Sequence, residues 1–124
     1  MSESGVVVWS ELMTTEVEKA KAFYGKTLGL SFEAFGESNP GYWLAQLNGR
    51  PIWGIMDMTR KPGGPSGWFT YMAVDDVDAK VKAAEAAGGK LCMPAFDIPT
   101  VGRIAILEDP TGAIIGWMTP IPRA

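Results

Sequence analysis

The side chains able to do chemistry in this chain are few, and one type is missing. There is no histidine, so the commonest transition-metal ligand and the usual acid–base group near neutral pH are both absent. Cys92 is the single cysteine. With no histidine to activate it, thiolate catalysis of the protease kind is excluded. It cannot form an intrachain disulfide, and a small buried residue is its expected role. Any metal site would have to draw on carboxylates, amides or that one thiol. Among the carboxylates Glu11 stands out, because it lies in an apolar run, Val6 to Met13, that reads as a strand. Alternation puts Val7, Trp9, Glu11 and Met13 on one face, and Val6, Val8, Ser10 and Leu12 on the other. A carboxylate held against aromatic rings is a candidate acid or base, or a seat for a cationic ligand. An edge strand, or an ion pair with a nearby Lys or Arg, is the competing expectation.

Aromatic residues are the other resource: five Trp, five Phe and three Tyr, with seven Met. Trp9, Phe69 and Tyr71 are the leading candidates to line a small-molecule pocket, joined by Trp53, Met118 and either Trp43 or Tyr42. Core packing or a dimer interface would use the same residue types. Asp57 reads as a solvated strand-terminal carboxylate, and Glu108-Asp109 as turn chemistry. Arg50 and Arg103 each follow a glycine at a strand start, where a surface ion pair is favoured over capture of an anionic substrate group. Gly63, Gly64 and Gly67 precede no helix, so no phosphate cradle is implied.

The elements that must position these residues repeat. After the first strand, Thr14 or Thr15 can cap a helix, with Glu18 at capping-box spacing from Thr15. That helix runs to about Thr27, with an apolar stripe of Val17, Ala20, Phe23 or Tyr24, and Leu28, and Gly29 ends it. Strands are expected at Leu30 to Phe35, Tyr42 to Leu47 and Ile52 to Met58. A loop falls between the first two, around Asn39-Pro40, and Asn48-Gly49 forms a hairpin turn between the last two. Arg60 to Gly67 reads as a linker. The plan then recurs: a strand at Trp68 to Val74, a helix at about Val77 to Ala87 capped by Asp75 or Asp76, and Gly88-Gly89 at its end. A short strand at Lys90 to Met93 is broken by Pro94, and Phe96 to Thr100 reads as a loop or irregular edge. Last comes a hairpin, Ile104 to Leu107 and Ile114 to Met118, turning at Glu108-Asp109-Pro110-Thr111-Gly112, with its second strand central and buried.

One domain of 124 residues is expected, with module 1 at about 5–59, a linker at 60–67 and module 2 at about 68–121. Each βαβββ module exposes a sheet face that it cannot cover alone. A net charge of −3 argues against nucleic acid as a partner. No apolar run approaches the roughly 20 residues that span a bilayer, so no membrane partner is expected. Met1 to Gly5 lacks the basic and apolar regions of a signal peptide, and a cytoplasmic location is the expectation.

Three stretches together resemble the vicinal-oxygen-chelate superfamily of glyoxalases, bleomycin-resistance proteins and extradiol dioxygenases. They are Ala20-Lys21-Ala22-Phe23-Tyr24 with Leu28-Gly29-Leu30, Tyr71 to Asp78 with Ala87-Gly88-Gly89, and Glu108-Asp109-Pro110-Thr111-Gly112. The match runs in order over nearly the whole chain. Gly49-Arg50-Pro51 to Ile55-Met56 and Gly102 to Ala105 further resemble a subgroup often found as two tandem domains. The resemblance implies an α+β fold in which paired βαβββ modules form a cupped mixed sheet with helices outside. It also implies a small-molecule ligand and a homodimer. Metal-dependent members place His, Glu or Gln at four positions. Counted from the matched motifs, these fall on Trp9, Phe69, Gly116 and a position near Gly54 to Met56, none of which is a ligand. Asp57 is the nearest acid. The expectation is therefore a protein with no metal cofactor that binds a small apolar or aromatic molecule. The alternatives are an enzyme of the glyoxalase/lyase or dioxygenase type with a non-standard site built on Glu11, alone or with Asp57, and a structural domain whose cup is filled by its own side chains.

Overall fold

Glycines and turn residues mark where this chain reverses, and the computed structural model follows them closely. It describes residues 4–36, 41–59, 66–98 and 101–120. The loop around Asn39-Pro40, residues 60–65 of the expected linker, and Thr100 lie outside the described residues. The elements are β1 (Val6–Thr14), α1 (Val17–Leu28), β2 (Ser31–Ala34), β3 (Tyr42–Leu47), β4 (Arg50–Asp57), β5 (Gly67–Ala73), α2 (Val77–Ala86), β6 (Lys90–Ile98), β7 (Gly102–Glu108) and β8 (Ile114–Pro120). The α+β fold with two βαβββ modules is as expected. The chain forms two compact units, residues 9–69 and residues 1–8 with 70–124.

In the unit of residues 9–69 the strand order is β2-β3-β4-β1. The β2–β3 and β3–β4 pairs are antiparallel and β1–β4 is parallel. Asn48 and Gly49 both take positive φ (53° and 76°), as a two-residue hairpin turn of right-handed twist requires. Helix α1 covers one sheet face. Its Val17 is buried with Leu12 and Ile55, and Ala20, Tyr24, Phe32, Trp43 and Trp53 pack around them. Of the expected stripe, Tyr24 packs inward, whereas Phe23 and Leu28 are each 57% exposed. Gly29 caps the helix in the left-handed region, its N–H donating to Gly25 O. The expected capping box does not form. Glu16 is the N-cap residue and makes no side-chain cap bond. The Thr14 hydroxyl instead accepts from the Glu16 N–H and meets the Ser66 hydroxyl, because β1 extends through Thr14.

The second unit orders its strands β5-β8-β7-β6, with β5–β8 parallel and the other pairs antiparallel. Val74, Val77 and Ala105 are its buried core, packed by Val81, Leu91, Ala95 and Trp117. Asp76 caps α2, its carboxylate accepting from the Ala79 N–H. Two expectations fail here for one reason. Strand β6 does not break at Pro94 but continues to Ile98, so Phe96 to Ile98 is strand and not loop. It lies at the end of the strand order, and its pairing with β7 shifts register between Leu91 and Met93 and again between Met93 and Phe96. Such irregularities let an end strand carry a residue with no N–H. Cys92 sits at the first shift and is exposed, not buried. Strand β8 is central, between β5 and β7, though Gly116 is its one buried residue.

Arg103 forms ion pairs with Asp78 and Asp97 on the surface, as expected, and both hydrogen bonds raise its pKa. The β7–β8 turn is organised by Asp109. Its carboxylate accepts from the Thr111 hydroxyl, the Thr111 N–H and the Ala113 N–H. Gly112 takes positive φ there. These bonds, that from the Thr111 hydroxyl foremost, hold the Asp109 carboxyl below its ordinary pKa. A depressed carboxyl pKa contributes stability that is full above the unfolded value and fades as pH falls through the folded one. The melting-temperature gap between wild type and Asp109→Ala should therefore be full at neutral pH and close progressively below about pH 4. Thermal melts across that range check it.

Candidate functional site

Alternation along β1 sends Leu12 and Thr14 toward α1, and Trp9, Glu11 and Met13 to the opposite face of the sheet. Glu11 is opposite Gly54 in the parallel β1–β4 pair, and Met13 is opposite Met56. Strand β3 completes this face with Tyr42 opposite Met56 and Leu44 opposite Gly54. The ground around Glu11 itself is therefore set by three strands, and Glu33 of β2, opposite Leu44, lies on the same side further out.

Glu11 is 3% exposed, a costly place for a carboxylate unless it is hydrogen-bonded. Tyr42 meets that need. The Trp9 Nε1–H donates to Tyr42 Oη at 2.8 Å, and Tyr42 Oη–H donates to Glu11 Oε1 at 2.9 Å. An indole N–H can only donate, so the direction of the chain is set: indole to phenol to carboxylate. The Tyr42 ring lies across Gly54, where a Cβ would overlap its hydroxyl and ring carbons. Glycine at 54 is what allows the phenol to reach Glu11. Phe35 stacks edge-on against Tyr42 at 5.9 Å between centroids.

The sequence candidates separate. Trp9 and Glu11 are neighbours joined through Tyr42. Trp68 packs on Tyr24 and Trp53 on the α1 side, so Phe69, next along β5, alternates to the Glu11 side. Trp53 is not on that side. It packs against the Leu12, Val17 and Ile55 core, edge-on to Tyr24 and Phe32. Asp57 is also on the α1 side. It is opposite Thr14 and lines a surface recess of about 620 Å³ with Thr15, Glu16, Glu18, Lys19 and Trp43. A joint site of Glu11 and Asp57 is thus ruled out by strand parity. In the other unit Tyr71 is buried and lies opposite Gly116, and Met118 pairs with Ala73 on β5 and Ile104 on β7.

Tyr42 was open in sequence against Trp43, and a bulge decides between them. Register shifts between Ala45 and Gln46, so that Gln46 pairs with Pro51 but Ala45 with Trp53. Ile52 is the extra residue. A regular ladder from the Asn48-Gly49 turn would place Trp43 opposite Gly54, and one inserted residue sends every later side chain to the other face. Trp43 consequently packs with α1, under Lys21, whose Nζ is 3.7 Å from its ring centroid.

The residues at the implied metal positions do not fit a divalent ion. Trp9, Phe69 and Gly116 offer no coordinating side-chain atom, the stretch Gly54 to Met56 offers none but the Met56 thioether, which suits soft ions, and the space over Gly54 belongs to Tyr42. Among the described residues no three Cys, Asp or Glu side chains form a group able to hold a metal.

Gly54→Ala should drive the Tyr42 ring off Glu11 and cost about 1–3 kcal/mol of stability. Because the two residues touch, Gly54→Ala combined with Tyr42→Ala should lose less than the sum of the single losses, by about 0.5–3 kcal/mol. Denaturant unfolding of the four proteins completes that cycle.

Comparison with known proteins places this geometry. A model of the glyoxalase/bleomycin resistance protein/dioxygenase superfamily matches residues 6–116. The putative glyoxylase CFP32 of Mycobacterium tuberculosis is 37% identical over 124 residues, covering 99% of this chain and 47% of that protein. The anthracycline biosynthesis protein DnrV of Streptomyces peucetius is 28% identical, covering 88% of this chain and 45% of that protein. This chain thus spans about half the length of these curated relatives. In fold it is similar to methylmalonyl-CoA epimerase from M. tuberculosis, with a TM-score of 0.63 at 18% identity, covering 98% of this chain and 92% of that one. The chain belongs to the glyoxalase/bleomycin resistance protein/dioxygenase superfamily.

Proposed function

We propose that this protein binds a small apolar or aromatic molecule against the Glu11 face without a metal ion. The observation that carries the proposal is the Trp9–Tyr42–Glu11 hydrogen-bond chain. It occupies ground where metal-dependent members of the family keep a chelate, and it sets a buried, oriented acid beside the apolar side chains of Met13, Leu44 and Met56. Few oriented polar groups within apolar walls are the general make-up of small-molecule sites. The relationship to an anthracycline biosynthesis protein supports an aromatic ligand.

The relatives named as glyoxylases favour a second reading. In it, Glu11 serves as a metal-free acid or base in a reaction of the lactoylglutathione-lyase type, with Tyr42 fixing its orientation. Turnover abolished by Glu11→Gln would favour this reading over simple binding.

We further propose a homodimer and a cytoplasmic location. Val6, Val7 and Val8, with 41–56% exposure, provide apolar surface for association. No described helix is long and apolar enough to cross a membrane.

Three measurements test these readings. Melts with Ni, Zn, Mn, Fe or Mg should show no shift, whereas an ion bound to the folded state at 100 times its dissociation constant would add about 2.7 kcal/mol. Calorimetric titration with 1-naphthalenemethanol should detect binding, and Trp9→Ala should weaken it about tenfold, the equivalent of 1.4 kcal/mol. An unchanged affinity would remove Trp9 from the site. Sedimentation velocity should give a dimer mass, and a monomer at all concentrations would overturn that assignment.

A further inference from the structure

We propose that Met13, Met56 and Met58 form a thioether site for a soft monovalent cation, Cu(I), on the sheet face opposite α1. The site goes beyond the apolar binding proposed above and does not rest on it.

Three observations in the unit of residues 9–69 lead to it. First, strand pairing gathers the three side chains. Met13 is opposite Met56 in the parallel β1–β4 pair, so their backbones are about 4.8 Å apart, the spacing of neighbouring strands. Met58 follows two residues after Met56, about 6.6 Å along the chain. The ladder still holds there, since the Met58 N–H donates to Thr14 O at 2.9 Å. Alternation therefore returns Met58 to the side of Met56. Methionine is unbranched and turns about three side-chain bonds, so sulfurs from a triangle of this size can converge on one point.

Second, these methionines are not part of the core. Methionine is among the residues most often fully buried. Here the buried cluster is Leu12, Val17 and Ile55 on the α1 side, and Leu12 and Ile55 alternate with Met13 and Met56 along their strands. Met13, Met56 and Met58 each keep part of their surface open to solvent, so an ion can reach them.

Third, the neighbour that would crowd the place is drawn away. Tyr42 is opposite Met56 on β3, yet its ring lies over Gly54 and its hydroxyl reaches Glu11.

The ligand type selects the ion. A thioether is neutral, polarisable and a weak hydrogen-bond acceptor. It favours Cu(I), whereas Mg, Ca and Mn favour oxygen donors and Zn, Fe and Ni take imidazole readily. This set is separate from the chelate that the family resemblance implies, whose positions fall on Trp9, Phe69, Gly116 and the stretch Gly54 to Met56.

The test uses Ag(I), a redox-stable probe for thioether sites, titrated calorimetrically into the full chain in chloride-free nitrate buffer. Cys92 is an exposed thiol that would also take the ion, so Cys92→Ser is the reference protein. It should bind one Ag(I) per chain, and Zn(II) should not compete. X-ray absorption of the anaerobic Cu(I) form should show sulfur neighbours and no nitrogen. Met56→Leu conserves volume and apolar character. It should weaken Ag(I) binding at least about tenfold, the lower end of what losing even an outer-shell partner costs a metal site. Adding Met13→Leu should abolish binding. Met72→Leu, on β5, should change nothing. A thermal melt of each variant establishes that it folds. No binding by Cys92→Ser overturns the site and assigns any metal held by wild type to the thiol. Full affinity in the Met13→Leu, Met56→Leu double variant overturns it also, as does a nitrogen or oxygen shell around Cu(I). None of these outcomes bears on binding of 1-naphthalenemethanol, which tests the apolar function by itself.

Discussion

A buried carboxylate has to be answered by a donor, and the way Glu11 is answered constrains three strands at once. One donor, Tyr42, is on β3, two strands from Glu11 on β1. Its ring can cross the intervening β4 only because residue 54 has no side chain. If β3 slips against β4, the phenol turns to the other face. If β1 shifts against β4, Glu11 loses its place opposite Gly54. Leaving a buried acceptor unsatisfied costs about 1–3 kcal/mol, and more for a charged one. Hydrophobic packing alone tolerates a slip that exchanges one apolar residue for another. A directional bond to a buried charge does not, so this contact specifies register as well as adding stability.

The two faces of this unit's sheet divide their labour accordingly. On the α1 side, Tyr24, Phe32, Trp53 and Trp68 meet edge to face at 5.0–6.0 Å between centroids, and they bury the residues that hold the helix in place. That side is core. The opposite side holds its buried polarity in one oriented chain and carries Glu33 and Gln46, hydrogen-bonded to each other, toward its outer strands. The second module has a comparable strand register with different contents. Tyr71 stands opposite Gly116 as Glu11 stands opposite Gly54, in each case across a parallel pair of first and last strands. The two modules thus share a glycine on the last strand and differ in the residue opposite it, acidic in one and phenolic in the other.

The fold was legible because its signals are local and redundant. Gly29, Asn48-Gly49, Asp76 and the Asp109–Gly112 turn each act within a few residues, and all act where sequence puts them. That Glu11 and Trp9 share a face was legible because strand alternation needs no long-range information. Tyr42 was not, because its face depends on one bulge at Ile52, beside Pro51, whose missing N–H interrupts the expected ladder. Trp53 was misplaced among the pocket candidates by composition: an aromatic residue in a strand is equally suited to either face, and here it belongs to the core. Strand β6 was cut short at Pro94 because the rule against proline in a ladder holds for central strands. This strand lies at the end of the order and absorbs the residue in two register shifts. Cys92 is exposed for the same reason, since a shifted register no longer points it inward.

The side chains at the positions where the family resemblance implies a chelate are not coordinating ones, and the geometry of β1, β3 and β4 shows what they build. The parallel pair of first and last strands sets Gly54 opposite Glu11, two residues beyond Trp9. Glycine at 54 leaves a space the size of a ring, which Tyr42 enters from β3. Two hydrogen-bond donors in series, Trp9 N–H and Tyr42 O–H, lead across this space to the Glu11 carboxylate. The glycine and the tyrosine act as one device, since a side chain at 54 would occupy the place that the phenol needs to reach the acid.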